Sequence, residues 1–244
     1  MFRLALINPN THPGHTEAMG QVARETLPDG CEVTAVSPEQ GPTSIESEAD
    51  SVIAAAAVAA LVRELPAHDA YLVACFGDPG VGAARELTEA PVVGIGEAAF
   101  QAAATIARRF AVITTLRRSI PELEDALERH GLRSRCVAVE PLGIPVADQG
   151  GHNPDTTAAI VAAGRRVVSE GGAEALVLAC GGMADVAQTV RREVGVPVCD
   201  GVAFGAMVAF SLWRCGLSTS KAGAYGWPEP IAYSGMPGFG SGDG

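Results

Sequence analysis

The sequence predicts an α/β fold of two similar Rossmann-like lobes with parallel sheets, related by a pseudo-twofold axis, with a cleft between them. Three observations lead to this prediction. Short apolar runs alternate with segments of helical spacing, which is typical of a parallel sheet covered by helices on both faces. Each run ends in a turn. The whole pattern restarts after about a hundred residues, which indicates a duplicated unit.

The first half of the chain contains the first set of alternating strands and helices. The predicted strands are RLALINPN, CEVTAVSPE, AYLVACFG and APVVGIG. The predicted helices are TEAMGQVARETL, the Ala-rich Ser47–Leu65, GVGAARELT and EAAFQAAATIARR. Thr16 is predicted to be the N-cap of the first helix. Each strand is thus followed by a helix, as the crossover connections of a parallel sheet require.

The second half repeats these landmarks in the same order. RFAVITTL matches RLALINPN, AEALVLACGG matches DAYLVACFG, and GVPVCDGVAFGA matches EAPVVGIGEAAFQA. The spacing from Asn8 to Cys75 agrees with that from Thr114 to Cys180 to within a residue. We therefore expect lobe 1 to comprise 1–97 and 205–244 and to carry Cys75, and lobe 2 to comprise 98–204 and to carry Cys180.

Composition argues against several classes of partner. The chain has 244 residues, a formal net charge of -11 and a single lysine, Lys221. An acidic protein without a basic cluster is a poor candidate for binding nucleic acid or an anionic membrane. The N-terminal apolar segment is too short for a signal peptide, and the longest apolar run, 52–62, is about half of a membrane span. We therefore expect a cytoplasmic protein.

The six cysteines are expected to be free thiols, because a reducing compartment disfavours disulfides. None of them has zinc-binding spacing, and we expect no metal site. The nearest approach to a metal motif is HPGH, residues 12–15, but its Pro and Gly predict a turn. Four cysteines have no counterpart in the other half and are interpreted as inert: Cys31, Cys136, Cys199 and Cys215.

Cys75 and Cys180 differ from the others because each stands where a buried strand gives way to a glycine-rich turn. In open parallel sheets, ligands bind beyond the C-terminal ends of the strands. Asn8–Thr11 and Thr114-Thr115 are predicted at that same end. Two lobes related by a pseudo-twofold axis would present the two thiols from opposite sides of one cleft. That arrangement suits moving a proton from one face of a carbon to the other; two inert buried thiols are the alternative.

The residues around the two thiols fit this chemistry. The N-terminal end of a following helix favours a thiolate, and we expect this effect at both cysteines. The glycines Gly77, Gly181 and Gly182 let backbone N–H groups approach a ligand oxygen, where they would stabilise an enolate as it forms. Asp200 is interpreted either as a helix cap or as a residue that orients the site.

These motifs resemble the aspartate/glutamate racemase superfamily, and more closely its hydantoin and allantoin racemase branch. The similar blocks run in order through INPNT, GPTSIES, ACFGDPG, VVGIGEA, AVITT, LACGGMA, GVPVCDGV and TSKAGAY, and cover Phe2 to about Pro230. The resemblance implies cofactor-independent racemisation of a small cyclic ureide, a 5-substituted hydantoin or allantoin. It also implies a catalytic pair, Cys75 and Cys180, and usually a homo-oligomer.

The resemblance further implies a set of substrate contacts. Asn10 would hydrogen-bond the substrate ring, and Ile45 would lie near the 5-substituent. The remaining expected contacts are Phe76, Gly77, Thr114, Thr115, Gly181 and Gly182. The HPGH segment and Gly182 depart from the family pattern, and both bear on the size of the pocket. The glycine-rich tail after Pro230 is also unlike the family and is expected to be mobile.

Other activities of the superfamily stay open: amino-acid racemase, maleate cis-trans isomerase and arylmalonate decarboxylase. A decarboxylase needs only one protonating cysteine, so the presence of two argues against it. A maleate isomerase would need cationic or dense hydrogen-bond donors at both ends of the cleft. A two-lobed module that binds a ligand without turning it over is a further alternative, since fold alone does not fix function.

Overall fold

The computed structural model describes residues 1–144 and 154–231, and these residues form two four-stranded parallel sheets. The strands are β1 (Arg3–Ile7), β2 (Glu32–Val36), β3 (Ala70–Val73), β4 (Val92–Gly94), β5 (Phe110–Thr114), β6 (Cys136–Pro141), β7 (Ala175–Leu178) and β8 (Val198–Asp200). The sheet orders are β2-β1-β3-β4 and β6-β5-β7-β8. The same order in both halves confirms the predicted duplicated α/β fold. Most of the glycine-rich tail, 232–244, lies outside the described residues.

Helices cover both faces of each sheet. They are α1 (Pro13–Thr26), α2 (Glu48–Glu64), α3 (Val81–Leu87), α4 (Ile95–Ile106), α5 (Ile120–Arg129), α6 (Pro154–Ser169), α7 (Ala187–Val194) and α8 (Gly201–Arg214), with 3₁₀ turns at Arg117–Ser119, Arg133–Arg135 and Gly181–Val186. None of the helices in the described ranges has the length and apolar character needed to cross a bilayer.

The first helix begins earlier than the sequence predicts. Pro13 occupies its first turn, and Nδ1 of His12 accepts the backbone N–H of His15 at 3.2 Å, so His12 is the N-cap. The predicted cap, Thr16, is buried inside the helix instead. The prediction was wrong because proline favours the first helical position, where its missing N–H costs nothing. The HPGH segment is therefore the start of α1 and not a separate turn.

Two helices cross from one half of the molecule to the other. α4 follows β4 of the first sheet but packs against β7 and β8 of the second, while α8 follows β8 and packs against β1, β3 and β4. The two helices also pack against each other near their N-termini, where a Cβ on Gly201 would overlap the carbonyl oxygen of Ile95. This exchange of helices supports the predicted division of the chain into lobe 1 (1–97 and 205–244) and lobe 2 (98–204). The boundaries of the two lobes stay a prediction.

The core consists of one apolar layer on each face of each sheet. Successive strand residues point to opposite faces, so Leu4 and Leu6 of β1 pack with α1 and α8, while Ala5 and Ile7 pack with α2 and α3. The second sheet is covered in the same way by α4 and α5 on one face and by α6 and α7 on the other. These layers hold the C-terminal ends of both sheets towards a common cleft.

Candidate active site

A small cavity of about 70 Å³ lies where the C-terminal ends of the two sheets meet, and both halves of the chain line it. All the sequence-predicted site residues line this cavity: Asn10, Ile45, Cys75, Phe76, Gly77, Thr114, Thr115, Cys180, Gly181 and Gly182. The structure thus brings these ten residues together around one cavity. Their individual roles stay predictions.

The two cysteines occupy equivalent positions in the two halves. Cys75 stands two residues after the last residue of β3, and Cys180 stands two residues after the last residue of β7. Both line the same cavity, and they lie near enough to each other that ionisation of Cys180 would raise the pKa of Cys75. Neither forms a disulfide, and all six cysteines are free. The two thiols therefore share one site.

Burial favours the neutral form of both thiols, contrary to the expected preference for thiolate. Burial raises the pKa of Cys75 to about 12, with smaller contributions from Cys180, Asp78 and Glu122. Burial also raises the pKa of Cys180 to about 11. The expectation was wrong because desolvation outweighs the opposing polar groups. No long helix starts at either cysteine: a turn separates Cys75 from α3, and only a 3₁₀ turn follows Cys180.

Backbone N–H groups beside each thiol oppose this desolvation. The N–H of Gly77 donates to Cys75, and the N–H of Gly182 donates to Cys180; both hydrogen bonds favour the thiolate and lower the pKa. A side chain at Gly181 would overlap the Met19 sulfur. The glycine-rich turns therefore let each half approach the other closely enough to enclose the cavity.

Asn10 presents one end of its amide to the cavity. Its Oδ1 accepts the side-chain N–H of Asn8 at 2.8 Å and the backbone N–H of His12 at 2.9 Å. Asn8 is in turn fixed by donation to Thr16 Oγ1 at 2.9 Å. Because the oxygen is used twice, the NH₂ group of Asn10 is the part available to a ligand. Asn10 is thus an oriented donor suited to a carbonyl oxygen.

The remaining predicted residues line the cavity in different ways. Thr114 and Thr115 are buried at the end of β5, where their backbone carbonyls accept the N–H groups of Leu142 and Gly143 at 2.8 Å. Ile45 reaches the cavity from the segment between β2 and α2. The Phe76 ring lies edge-on to Phe100, 5.2 Å away between centroids, so it belongs mainly to the core of the second half.

Several lining residues were missed by the sequence analysis: His15, Met19, Ser51, Ala74, Ser119, Glu122, Leu123 and Ala179. His15 and Met19 lie one turn apart on the buried face of α1, a helical i, i+4 pair that the spacing could have revealed. Ser119 is the last residue of the 3₁₀ turn before α5, and Glu122 lies in the first turn of α5. No motif marks them, because their proximity to the cleft depends on how the two halves come together.

A wider outer cavity of about 610 Å³ adjoins the inner one, and Ser51, Gly77, Ser119 and Glu122 line both. Its wall is formed by the N-terminal part of α2 from one half and by one side of α5 from the other. The charged residues in that wall are Glu46, Glu48, Arg118, Glu122, Asp125 and Arg129. The outer cavity thus offers a path along which part of a bound ligand could extend from the inner cavity towards solvent.

Two partly buried aspartates cap the crossing helices. Asp78, whose φ of 51° is a conformation that aspartate tolerates, accepts the N–H groups of Gly96 and Glu97 of α4 at 2.8 Å. Asp200 accepts those of Val202 and Ala203 of α8 at 2.8 and 3.2 Å. Of the two interpretations of Asp200, the structure supports the helix cap. Burial raises the pKa of Asp78 to about 8 and that of Asp200 to about 6.

The inner cavity carries little positive charge. None of the described residues that line it is lysine or arginine. Within 1–144 and 154–231, no group of three or more His, Cys, Asp or Glu side chains is arranged to hold a metal ion. A carboxylate on a ligand would therefore lack a cationic partner here, whereas a neutral polar ring would find amide, hydroxyl and backbone groups.

Comparison with known proteins agrees with this fold. The family described as Asp/Glu/Hydantoin racemase matches residues 4–209. Hydantoin racemase of Rhizobium meliloti is 38% identical, over 96% of this chain and 98% of its own, and hydantoin racemase of Pseudomonas sp. strain NS671 is 36% identical, over 96% and 95%. The solved structure of allantoin racemase from Klebsiella pneumoniae has a TM-score of 0.92 and 38% identity, covering 97% of both chains.

The fold, the paired lobes and these matches define an isomerase of the racemase type. The chain belongs to the Asp/Glu/hydantoin racemase family. The resemblance drawn from the sequence motifs is thereby confirmed.

Proposed function

We propose that the protein racemises 5-substituted hydantoins without a cofactor, using Cys75 and Cys180 as a two-base pair. The observation that carries the proposal is that two free thiols, from equivalent positions of the two halves, line one small cavity. The curated relatives at 36–38% identity are hydantoin racemases, which supports this substrate class. We also propose that the enzyme acts as a cytoplasmic homo-oligomer, as the family resemblance implies.

The reaction requires only the movement of protons. The C5–H of a hydantoin lies next to a ring carbonyl, so removing that proton leaves a planar enolate. One cysteine, as the thiolate, takes the C5 proton and becomes a thiol. The other cysteine, as a thiol, donates its proton to C5 from the opposite face and becomes a thiolate. The product is the mirror-image hydantoin, the protons balance, and the enzyme is left ready for the reverse direction.

The neighbouring groups would hold the ring and its developing charge. The oriented NH₂ of Asn10 is suited to donate to a ring carbonyl. The backbone N–H groups of Gly77 and Gly182 would stabilise the thiolate on whichever side carries it. The absence of Lys and Arg from the described lining argues against free amino acids and dicarboxylates as substrates. This favours the hydantoin over the amino-acid and maleate alternatives.

The proposal is tested by incubating the purified protein with one enantiomer of a 5-substituted hydantoin, without added cofactor. We expect optical rotation to decay to zero. In deuterated water, the C5 proton should be replaced by deuterium during turnover, as read by NMR. Heat-inactivated protein is the control for spontaneous racemisation. If no member of a panel of alkyl, aryl and ureido hydantoins racemises faster than this control, the proposed function is wrong.

The value of kcat/KM for racemisation should rise steeply with pH. Since burial raises the pKa of both thiols, to about 12 and about 11, the free enzyme holds them protonated at neutral pH. The reactive form has one thiolate, and its fraction increases about tenfold per pH unit well below these values. We therefore expect kcat/KM to increase about tenfold per unit between pH 6 and 8, because kcat/KM reports ionisations of the free enzyme. A plateau in this range would contradict the prediction.

A further inference from the structure

Glu122 lies at the junction between the inner and outer cavities and lines both. It is the third residue of α5, and its carboxylate reaches across to the turn that carries Cys75. A Cβ built on Gly77 would lie 2.5 Å from Glu122 Oε1. The carboxylate is also near enough to Cys75 to raise the pKa of that thiol. A substituent that extends from the inner cavity into the outer one would therefore pass beside this carboxylate.

The carboxylate of Glu122 is only half-buried, yet no described residue donates a hydrogen bond to it or pairs with it as an ion. By contrast, its neighbour Glu124 on the same helix pairs with Arg133 at 2.7 Å. Burial and the negative charge of Glu48, across the outer cavity, raise the pKa of Glu122, whereas Arg129 lowers it. A partly desolvated carboxylate without a protein donor forms its most favourable hydrogen bonds with a ligand that supplies N–H groups.

The rest of the junction supplies complementary groups. The hydroxyl-bearing Ser51 and Ser119 line both cavities, and Arg118 lies in the outer wall. Together with Glu122, they offer one strong acceptor and several donors within the same region. A urea group presents N–H donors and a carbonyl acceptor on one flat, neutral unit. An alkyl or aryl group can satisfy none of these polar partners.

We propose that Glu122 is a specificity-determining residue that accepts the N–H groups of a urea-type substituent on C5 of the hydantoin. The inference rests on the proposed racemase function and names the substrate class that this site prefers. Allantoin, which carries a ureido group at C5, is the simplest member of that class. Glu122 takes no part in moving the C5 proton; it selects which hydantoin is held between the two thiols.

Glu122 is also the acidic residue in the first turn of α5, a structural position that the test separates from a role in specificity. An acidic residue in the first turn of a helix stabilises the helix through the macrodipole. Losing that effect would weaken α5 and would lower activity on every substrate to a similar extent. The ratio of kcat/KM between two substrates of the same shape is therefore the readout, because a purely structural role leaves that ratio unchanged.

The experiment compares allantoin with 5-isobutylhydantoin, whose substituent has the same branching and the same number of heavy atoms as the ureido group. Both substrates are measured with the wild type, Glu122→Gln and Glu122→Leu. We expect the wild type to prefer allantoin, and Glu122→Leu to lower the allantoin-to-isobutyl ratio by about 10- to 100-fold, the usual effect of a lost charge-assisted hydrogen bond. Glu122→Gln, which keeps an acceptor oxygen, should lower it less. The control is Glu124→Gln, on the same helix but outside both cavities, which should leave the ratio unchanged.

The outcomes separate the two proposals. If the wild type racemises neither substrate, the assignment of Glu122 fails, and the proposed function fails with it when the rest of the hydantoin panel is also left unchanged. If both substrates are racemised but Glu122→Leu leaves their ratio unchanged, the racemase function stands and the role of Glu122 is overturned. A ratio in the wild type that already favours the isobutyl compound overturns the urea preference in the same way.

Discussion

Replacing Cys75 with serine should abolish racemisation in both directions, with kcat/KM falling by about 10²- to 10⁴-fold, the usual contribution of a general acid or base. Serine keeps the size and shape of the side chain but is a far weaker acid than a thiol, so it can neither supply the proton nor form the anion. Cys180→Ser should have the same effect, since Cys180 lines the same cavity. The measurement is the decay of optical rotation with each enantiomer as the starting material.

The two serine variants should differ in one respect. Each retains the thiol on one side of the cleft, so each should still exchange the C5 proton of one enantiomer with deuterium, without inverting it. The two variants should therefore exchange opposite enantiomers, which NMR detects. Cys215→Ser is the matched control, because Cys215 is exposed and outside the cavity. If both Cys75→Ser and Cys180→Ser still racemise at the rate of this control, the two-cysteine mechanism is wrong.

Gly201→Ala should destabilise the protein by about 3 kcal/mol, at the upper end for overpacking a core. The added methyl group would overlap the carbonyl oxygen of Ile95, a backbone atom that cannot move away without separating α4 from α8. For a chain of this size, such a loss lowers Tm by about 6–12 °C. Thermal unfolding followed by circular dichroism measures the change.

Gly82→Ala provides the control for this substitution. Gly82 is exposed in α3, and nothing lies within 4 Å of the position its Cβ would take. Alanine there should leave Tm unchanged or raise it, because alanine has the higher helix propensity by up to about 1 kcal/mol. Equal Tm changes in the two variants would show that the contact between Gly201 and Ile95 does not hold the crossing helices together.

Most of the architecture could be predicted from the sequence because the same α/β unit occurs twice in the chain. The landmarks around Cys75 and Cys180 keep their spacing, so each half supports the interpretation of the other. Rules for parallel sheets then place both turns at the same end of their strands. That step was enough to assemble the cavity from residues such as Asn10 and Thr114, which are far apart in the sequence.

What the sequence did not predict depends on how the two halves come together. The neutral state of both thiols follows from burial in the shared cleft, a property that neither turn shows by itself. Glu122 reaches Gly77 only because α5 of one half faces the Cys75 turn of the other. The cap by His12 was missed for a local reason, since histidine is not among the residues that usually cap helices.

The exchange of α4 and α8 has a consequence for how the molecule unfolds. Each sheet is covered on one face by a helix that follows the last strand of the opposite half. Removing either half would expose an apolar layer of the other to water, at a cost of roughly 25 cal/mol for each Å² of apolar surface. The duplicated units are therefore no longer independent domains, and we expect them to lose their structure in a single cooperative transition.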